Sequence, residues 1–257
     1  MASLFDLHGT VALVTGATGG LGAAIGHALA AHGARVILSD QDAAGCESAA
    51  AKMREQGFEA RGLPCDLRDI ASLEDFIVHA IRIWGRVDTL VCNAGVQGPA
   101  GPIGKISRAD WEAVMQVNLA APLALTTHLI PQMAERGGGS VVLMSSIAGL
   151  RGNQAIGLYA LSKAGLAQLA RNLAVEWGPR GVRVNAISPG LIRTPLAAEL
   201  LKDEAFMQRR LAATPLRRVG EPDEVAGAVV MLAGRAGAFI TGHNLVVDGG
   251  TTISDGS

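Results

Sequence analysis

The sequence predicts a single α/β domain in which helices cover both faces of a parallel sheet. Short apolar, β-branched runs alternate along the chain with longer segments of helical periodicity, which is the pattern of βαβ units. These runs are almost continuously apolar, as expected of strands buried on both faces. No long polar or proline-rich linker divides the 257 residues, so one domain spanning residues 1–257 is favoured over two.

The first half of the chain contains four predicted strands. They share apolar and β-branched residues and are expected over residues 10–15, 35–39, 60–63 and 89–92. Helical patterns follow the first three strands, over residues 21–32, 43–56 and 70–84. A Gly/Pro-rich loop at residues 95–104 follows the fourth. These elements make up the first half of the predicted domain, residues 8–150.

The second half, residues 140–257, is expected to carry the catalytic and substrate-binding groups. Helix is predicted over residues 108–135, with Pro122 as a candidate interruption, and over residues 159–177. The remaining strands are predicted at residues 140–144, 182–187 and 244–247. Residues 191–218 are charged and helix-prone, lie between two prolines, and are interpreted as a mobile lid over a cleft.

Composition and charge exclude several classes of partner. The net charge of −1, without a basic run, argues against a nucleic-acid surface, and no apolar run is long enough to cross a bilayer. Residues 1–9 show no secretory signal. Cys46, Cys65 and Cys92 are widely spaced, which favours reduced thiols in a cytoplasmic protein over disulfides or a zinc site. No histidine or carboxylate cluster has ligand spacing, so we expect no metal.

A glycine-rich turn follows the first predicted strand and opens the first helix. Gly16 is suited to the sharp turn out of the strand, and Gly20 and Gly22 remove side chains where a phosphate and the neighbouring strand must approach. The helix N-terminus offers free N–H groups and a positive dipole end to a pyrophosphate. Because the turn lies between the first strand and its helix, it favours a dinucleotide site over an ordinary tight turn. We therefore expect residues 8–150 to form the dinucleotide-binding half of the domain.

Two carboxylates follow neighbouring strands at the adenosine end of this site. Asp40 ends the second strand, where a carboxylate accepts hydrogen bonds from the ribose hydroxyls and repels a 2′-phosphate. NAD is therefore favoured over NADP, although Asp40 could instead cap the following helix. Asp66 follows the third strand and is interpreted either as a partner of the adenine amino group or as an ordinary loop carboxylate.

Tyr159 and Lys163 form a candidate proton-handling pair. Positions four apart share a helix face, and a nearby cation favours phenolate, which lowers the phenol pKa from its usual value of about 10. Ser146, thirteen residues before Tyr159, could hold a carbonyl or alcohol oxygen beside the phenol. Taken alone, the spacing more often indicates a packed ring and a solvated amine, and the surrounding motifs are needed to favour the catalytic interpretation.

Together these features resemble the short-chain dehydrogenase/reductase family over nearly the whole chain. The matching segments are residues 15–22, 66–67, 93–95, 118, 146, 159, 163, 189–190, 192, 194, 240–242 and 247–250. The resemblance implies a Rossmann-type fold with a seven-stranded parallel sheet and reversible hydride transfer between a nicotinamide and an alcohol or carbonyl. It also implies a homo-oligomer, most often a tetramer. The alanines at 164, 167, 170 and 174 would permit close helix packing between subunits, unless they face this chain's own sheet.

The resemblance also assigns roles to residues. It implies that Tyr159 is the general acid/base, that Lys163 lowers its pKa and binds the nicotinamide ribose, that Ser146 orients the substrate oxygen, and that Asn118 supports a water relay. The implied cofactor contacts are Gly16, Thr18, Gly20, Leu21, Gly22, Asp40, Asp66, Leu67, Asn93, Ala94, Gly95, Tyr159, Lys163, Pro189, Gly190, Ile192 and Thr194. Cys92 departs from the asparagine that is common in the family and is expected to be a buried apolar residue outside the chemistry.

The candidate substrate pocket is mostly apolar or uncharged. Its residues are Gln97, Ile147, Asn153, Gln154, Ile156, Leu191 and Leu196. It fits a small or medium secondary alcohol or ketone better than a polyanion, which favours an NAD-dependent alcohol dehydrogenase or carbonyl reductase. A 3-oxoacyl-thioester reductase shares every motif but is disfavoured by Asp40. A non-catalytic dinucleotide-sensing protein is disfavoured by the complete set of catalytic residues.

Overall fold

A computed structural model of the chain describes residues 3–254. Within these residues, seven strands form one sheet: β1 (Val11–Thr15), β2 (Arg35–Ser39), β3 (Ala60–Gly62), β4 (Thr89–Cys92), β5 (Gly139–Met144), β6 (Val182–Pro189) and β7 (Asn244–Val247). All neighbouring pairs are parallel, in the order β3-β2-β1-β4-β5-β6-β7. The predicted α/β class with a seven-stranded parallel sheet is confirmed.

Nine helices surround the sheet in the described part of the chain. They are α1 (Gly20–Ala31), α2 (Ala43–Glu55), α3 (Leu73–Trp84), α4 (Arg108–Met115), α5 (Ala121–Glu135), α6 (Gly157–Trp177), α7 (Ala198–Lys202), α8 (Glu204–Ala212) and α9 (Pro222–Ala233). Apolar side chains of α3, α5 and α6 form the core on one face of the sheet, and those of α1, α2 and α9 form it on the other. The central strands are therefore buried on both sides, which explains their continuous apolar sequence.

The sequence patterns did not predict α9. Its signals are Pro222 at the first helical position and a capping box between Glu221 and Glu224. Val225 and Val229 lie one turn apart and are fully buried, so the helix packs an apolar stripe into the core beside α1. These signals directly follow the charged segment 191–218. Pro222 was therefore interpreted as the end of that segment and not as the start of a helix.

The long helix before β5 continues through Pro122 instead of breaking there. A π-helical turn, Gln116–Ala120, joins α4 to α5, and Pro122 occupies the first turn of α5, where a missing N–H costs little. Among residues 3–254, the run Arg108–Glu135 is long and apolar enough to cross a bilayer by length and composition, but half of its most apolar window is buried in the protein. Leu125 and Leu129 lie in the core, so we interpret this run as a core helix.

The strand order reverses between β1 and β4, which lie side by side although β2 and β3 separate them in sequence. Ligands bind at such a reversal, beyond the carboxyl ends of the strands. Segment 191–218 contains α7 and α8, and a parallel bridge between Ile192 and Gly220 closes its base. Cys46 and Cys92 are buried and Cys65 is half-buried, and all three are free thiols.

Candidate active site

A cleft of about 470 Å³ opens at the carboxyl ends of the central strands. Most predicted site residues line it: Gly16, Thr18, Gly20, Leu21, Gly22, Asp40, Asn93, Ala94, Gly95, Gln97, Ser146, Ile156, Tyr159, Lys163, Pro189, Gly190, Leu191, Ile192, Thr194 and Leu196. The patterns missed Gly19, Met144, Ser145, Pro195, Ala197 and Leu200. Pro195, Ala197 and Leu200 belong to the helical turns after Thr194. Their apolar character was the only sequence signal that they line a cleft.

The glycine turn forms a cradle in which side chains cannot fit. Gly16 and Gly20 have φ of 64° and 54°, which favours glycine, and a Cβ at Gly22 would lie 2.0 Å from the carbonyl oxygen of Gly16. Asn93 Nδ2 donates to the carbonyl oxygens of Thr15 and Gly16 at 3.0 Å, which fixes the turn to the end of β4. No side chain caps α1, so its first N–H groups can bind a pyrophosphate. This cradle fits a dinucleotide.

Asp40 follows β2, whereas Tyr159 is hydrogen-bonded to Ser146 after β5, three strands away in the sheet. Its carboxylate accepts a hydrogen bond of 2.9 Å from the hydroxyl of Thr18 in the glycine turn. The alternative role as a helix cap is wrong, because the N-cap position of α2 is Asp42. Lys163 is the one basic residue that lines the cleft, and it lies at the end of β5. No cation therefore lines the cleft beside Asp40 to neutralise a 2′-phosphate.

Asp66 and Leu67 do not line this cleft. The carboxylate of Asp66 is paired with Arg68 at 2.7 Å, and this hydrogen-bonded guanidinium holds the pKa of Asp66 below its usual value. Leu67 is buried in the core. Of the two interpretations of Asp66, the ordinary loop carboxylate fits this arrangement better, because both its oxygens already have a partner.

The catalytic candidates come together at the ends of β5 and α6. Ser146 follows β5, its hydroxyl accepts the Ala148 N–H at 3.1 Å, and it is hydrogen-bonded to Tyr159. Lys163 Nζ donates to the carbonyl oxygen of Met144 at 2.7 Å and lies 5.5 Å from the centre of the Tyr159 ring. With 3% of its surface exposed, Lys163 is not the solvated amine of the alternative interpretation.

The pKa values of the pair differ from the expectation. Burial raises the pKa of Tyr159, and the hydrogen bond from Ser146 opposes this only in part. Burial also lowers the pKa of Lys163, to about 8. The prediction that Lys163 lowers the phenol pKa is therefore wrong for the chain alone. Desolvation penalises both the phenolate of Tyr159 and the ammonium of Lys163. The ammonium also donates to the Met144 carbonyl oxygen instead of to the phenol oxygen.

Asn118 lies behind Lys163 and outside the cleft. The π-helical turn places it in the core, where Oδ1 accepts the Val96 N–H and Nδ2 donates to the Val96 carbonyl oxygen, both at 2.8 Å. A Cβ on Gly95 would lie 3.1 Å from Lys163 Nζ and 3.2 Å from Asn118 Oδ1. Glycine at 95 thus leaves a narrow space between the amide and the ammonium.

Two further residues interact with Lys163. Ser145, the residue before Ser146, donates from its hydroxyl to the Lys163 carbonyl oxygen at 2.7 Å and so fixes α6 to the end of β5. Cys92 is buried as expected, and burial raises its pKa to about 12. Its thiol is nevertheless close enough to Lys163 for the ammonium charge to act on that pKa.

Three predicted substrate-pocket residues lie outside the cleft. Ile147 is buried, the amide of Asn153 donates to the backbone carbonyls of Ala148 and Arg151 at 3.0 Å, and Gln154 is exposed. Asn153 therefore shapes the loop after Ser146 instead of contacting a ligand. Among residues 3–254, no group of three or more His, Cys, Asp or Glu residues could hold a metal ion.

Known proteins resemble this chain over almost its full length. A family model described as enoyl-(acyl carrier protein) reductase matches residues 16–252. Dehydrogenase/reductase SDR family member 4 of Bos taurus is 37% identical over 251 residues, which cover 98% of this chain and 90% of the bovine protein. The chain belongs to the short-chain dehydrogenase/reductase family. It is accordingly a pyridine-nucleotide-dependent oxidoreductase that acts on alcohols or ketones.

Two other members of this family bear on the substrate. D-threitol dehydrogenase of Mycolicibacterium smegmatis is 40% identical over 249 residues, covering 97% of this chain and 95% of its own length. The structure of gluconate 5-dehydrogenase from Burkholderia cenocepacia, solved with NADP and tartrate, has a TM-score of 0.94 at 31% identity and covers 97% and 98% of the two chains.

Proposed function

We propose that this dehydrogenase oxidises a secondary hydroxyl of a small polyhydroxylated substrate reversibly, with NAD as cofactor and Tyr159 as general acid/base. The observation that carries the proposal is the meeting of Tyr159, Ser146 and Lys163 in the cleft that also contains the glycine cradle. The threitol and gluconate dehydrogenases among its relatives support the substrate class. The apolar wall of the cleft, which includes Ile156 and Leu191, suits the carbon skeleton.

Each residue has one task in this proposal. When bound, the nicotinamide accepts or supplies the hydride. The hydroxyl of Ser146 holds the substrate oxygen beside the phenol, and Tyr159 takes the hydroxyl proton during oxidation and returns it during reduction. Lys163, with a pKa of about 8, is poised near neutrality and can exchange a proton toward the space between Gly95 and Asn118.

Replacing Tyr159 with Phe tests the proposal directly. The variant keeps the ring but loses the proton donor, so we expect turnover to fall by about 10²- to 10⁴-fold. NADH binding, measured by fluorescence titration, should remain within a few-fold of wild type, which shows that the cleft is intact. A Tyr159→Phe enzyme as active as wild type would contradict the assigned role.

NAD preference is proposed from Asp40. Its carboxylate, held by Thr18, would accept ribose hydroxyls and repel a 2′-phosphate. We expect Asp40→Ala to lower kcat/KM for NAD and to reduce the NAD-to-NADP preference by at least tenfold. Asp42→Ala is the matched control, because that carboxylate is exposed and makes no side-chain cap bond. The gluconate 5-dehydrogenase structure holds NADP, so a wild-type preference for NADP would overturn this part of the proposal.

A 3-oxoacyl-thioester reductase is the second candidate, because the matching family model carries an acyl carrier protein in its description. Asp40 disfavours it, since biosynthetic reduction generally draws on NADPH. Acetoacetyl-CoA and a polyol panel, each assayed with both nucleotides, separate the two functions. Reduction of the thioester with a kcat/KM well above that of any polyol would favour the second candidate.

A cytoplasmic homotetramer completes the proposal. Exposed apolar side chains on α4, α5 and α6, namely Trp111, Leu123 and Leu161, support self-association, and the three free thiols support a reducing compartment. The alanines of α6 do not give the expected support, because Ala167, Ala170 and Ala174 belong to the chain's own core. Light scattering during gel filtration measures the assembly, and a monomer would refute it.

A further inference from the structure

One polar side chain that lines the cleft has no partner within residues 3–254, and it is the half-buried amide of Gln97. The other polar side chains of the cleft are all hydrogen-bonded within the chain. Thr18 pairs with Asp40, Ser146 pairs with Tyr159, and Asn93, Ser145, Lys163 and Thr194 donate to backbone carbonyl oxygens. An amide has two N–H donors and an acceptor oxygen. Gln97 therefore offers the cleft a polar group that the fold itself does not use.

The chain just before Gln97 is tied to the helix that carries Tyr159. The N–H and the carbonyl oxygen of Val96 are both bound by the Asn118 amide at 2.8 Å. Nδ2 of Asn118 also donates to the Ser162 hydroxyl at 3.0 Å, and this hydroxyl donates to the carbonyl oxygen of Tyr159 at 2.8 Å. The start of the Gln97 loop is thus joined to the first turns of α6 through direct hydrogen bonds.

The chain just after Gln97 follows the start of the same helix. Gly98 has φ of 71°, and a Cβ there would lie 4.0 Å from Cδ2 of Leu158. Three residues later, Gly101 forms a parallel bridge with Ile156, which itself lines the cleft. The backbone on both sides of Gln97 therefore contacts the turns of α6 around the catalytic phenol, so the free amide belongs to the end of the cleft where the substrate oxygen is held.

The surroundings of this amide favour an uncharged hydrogen-bonding group. Ile156, Leu191 and Leu196 give the cleft an apolar wall. The one cation that lines the cleft, Lys163, already donates to a backbone carbonyl oxygen, so no free counter-ion is present for an anionic group. A hydroxyl both donates and accepts a hydrogen bond, and the amide can satisfy both functions. The chemistry of the site thus matches a second hydroxyl on the carbon skeleton.

We propose that Gln97 is a specificity-determining residue that binds the hydroxyl next to the reacting carbon, so that the preferred substrates are vicinal diols. In the oxidation, the hydride of one carbinol carbon passes to the nicotinamide and its hydroxyl proton to Tyr159, and an α-hydroxy ketone is formed. The neighbouring hydroxyl does not react. Its contact with Gln97 fixes the rotation of the substrate about the oxygen held by Ser146. This inference rests on the proposed function and deepens it.

The test compares alcohols that differ by one hydroxyl. 2,3-Butanediol is paired with 2-butanol and 1,2-cyclohexanediol with cyclohexanol, each with NAD and NADP. Beyond the factor of two for two equivalent hydroxyls, wild type should prefer the diol of each pair in kcat/KM. Gln97→Leu, of similar size, should lower this preference about tenfold, which is about 1.4 kcal/mol, and leave the monoalcohols near wild type. Gln154→Leu, an exposed amide outside the cleft, should keep the preference.

Calorimetric titration of 1,2-cyclohexanediol into the NADH-loaded protein separates this inference from the proposed function. Binding that is lost in Gln97→Leu but kept in Gln154→Leu supports the hydroxyl contact even if no alcohol is oxidised, an outcome that would refute the proposed function alone. Equal kcat/KM within each pair in wild type, or an equal loss on diols and monoalcohols in Gln97→Leu, would overturn the assignment and leave the dehydrogenase function standing. Neither turnover nor binding of the diols would also overturn it.

Discussion

Replacing Lys163 with Met should stabilise the protein while inactivating it. Lys163 is 3% exposed, and burial lowers its pKa from 10.5 to about 8. Each tenfold change in an ionisation equilibrium is about 1.36 kcal/mol, so at pH 7 the buried ammonium costs roughly 3 kcal/mol. Met has a similar shape and no charge, but it loses the hydrogen bond to Met144, a contribution of about 1 kcal/mol. The net expectation is a gain of about 2 kcal/mol.

The pH dependence identifies the cause. Below pH 8 the lysine is protonated in both the folded and unfolded states, so the full cost of burying the charge is present. Between the folded pKa of about 8 and the unfolded value of 10.5, the unfolded chain binds more protons, and wild-type stability therefore rises with pH. The advantage of the Met variant should shrink from about 2 kcal/mol at pH 7 to near zero at pH 9.5.

Urea unfolding followed by circular dichroism at both pH values measures this difference, at one fixed protein concentration because assembly would add to apparent stability. Lys52→Met, an exposed lysine on α2, is the control and should change the free energy of unfolding by less than about 0.5 kcal/mol. If Lys163→Met is less stable than wild type at pH 7, or if its advantage is the same at both pH values, the ammonium is not the source of the cost.

Two further predictions concern the glycine cradle and the phenol. Gly22→Ala should destabilise the protein by about 1–3 kcal/mol or abolish cofactor binding, because its Cβ would meet the Gly16 carbonyl oxygen. Gly19→Ala is the control: the space around its Cβ is open, so both the free energy of unfolding and the NADH titration should stay near wild type. Because burial raises the pKa of Tyr159 and oxidation requires the phenolate, kcat/KM for oxidation should rise from pH 7 to pH 10 and fall for reduction. A flat oxidation profile would exclude the phenol as the titrating group.

The fold was largely predictable because its strands are local apolar runs whose burial on both faces leaves a direct mark in the sequence. β1 and β4, for example, are buried at every position. α9 was missed because its helical signals, the Glu221 capping box and the Val225–Val229 repeat, directly follow a charged segment. A local pattern gives little warning of a short helix whose stability comes from packing on α1.

The site was predictable where chemistry fixes residue type and spacing, as for Ser146, Tyr159 and Lys163. It was not predictable where the outcome depends on neighbours remote in sequence. The pKa of the Tyr159 phenol depends on how deeply α6 and β5 bury it. The Asn153 amide donates to backbone carbonyls, and its position in the sequence does not reveal these partners. Asp66 likewise pairs with Arg68, and only the loop conformation brings the two side chains together.

The three native thiols, two buried and one half-buried, should react little with covalent probes. Burial raises the pKa of Cys46 and brings those of Cys65 and Cys92 to about 11 and 12, so almost no thiolate forms at neutral pH. Maleimides and other alkylating dyes react through the thiolate and would leave these side chains unlabelled. A cysteine introduced at exposed Ala205 on α8 would then carry the sole fluorophore, and its emission would test whether segment 191–218 moves during turnover.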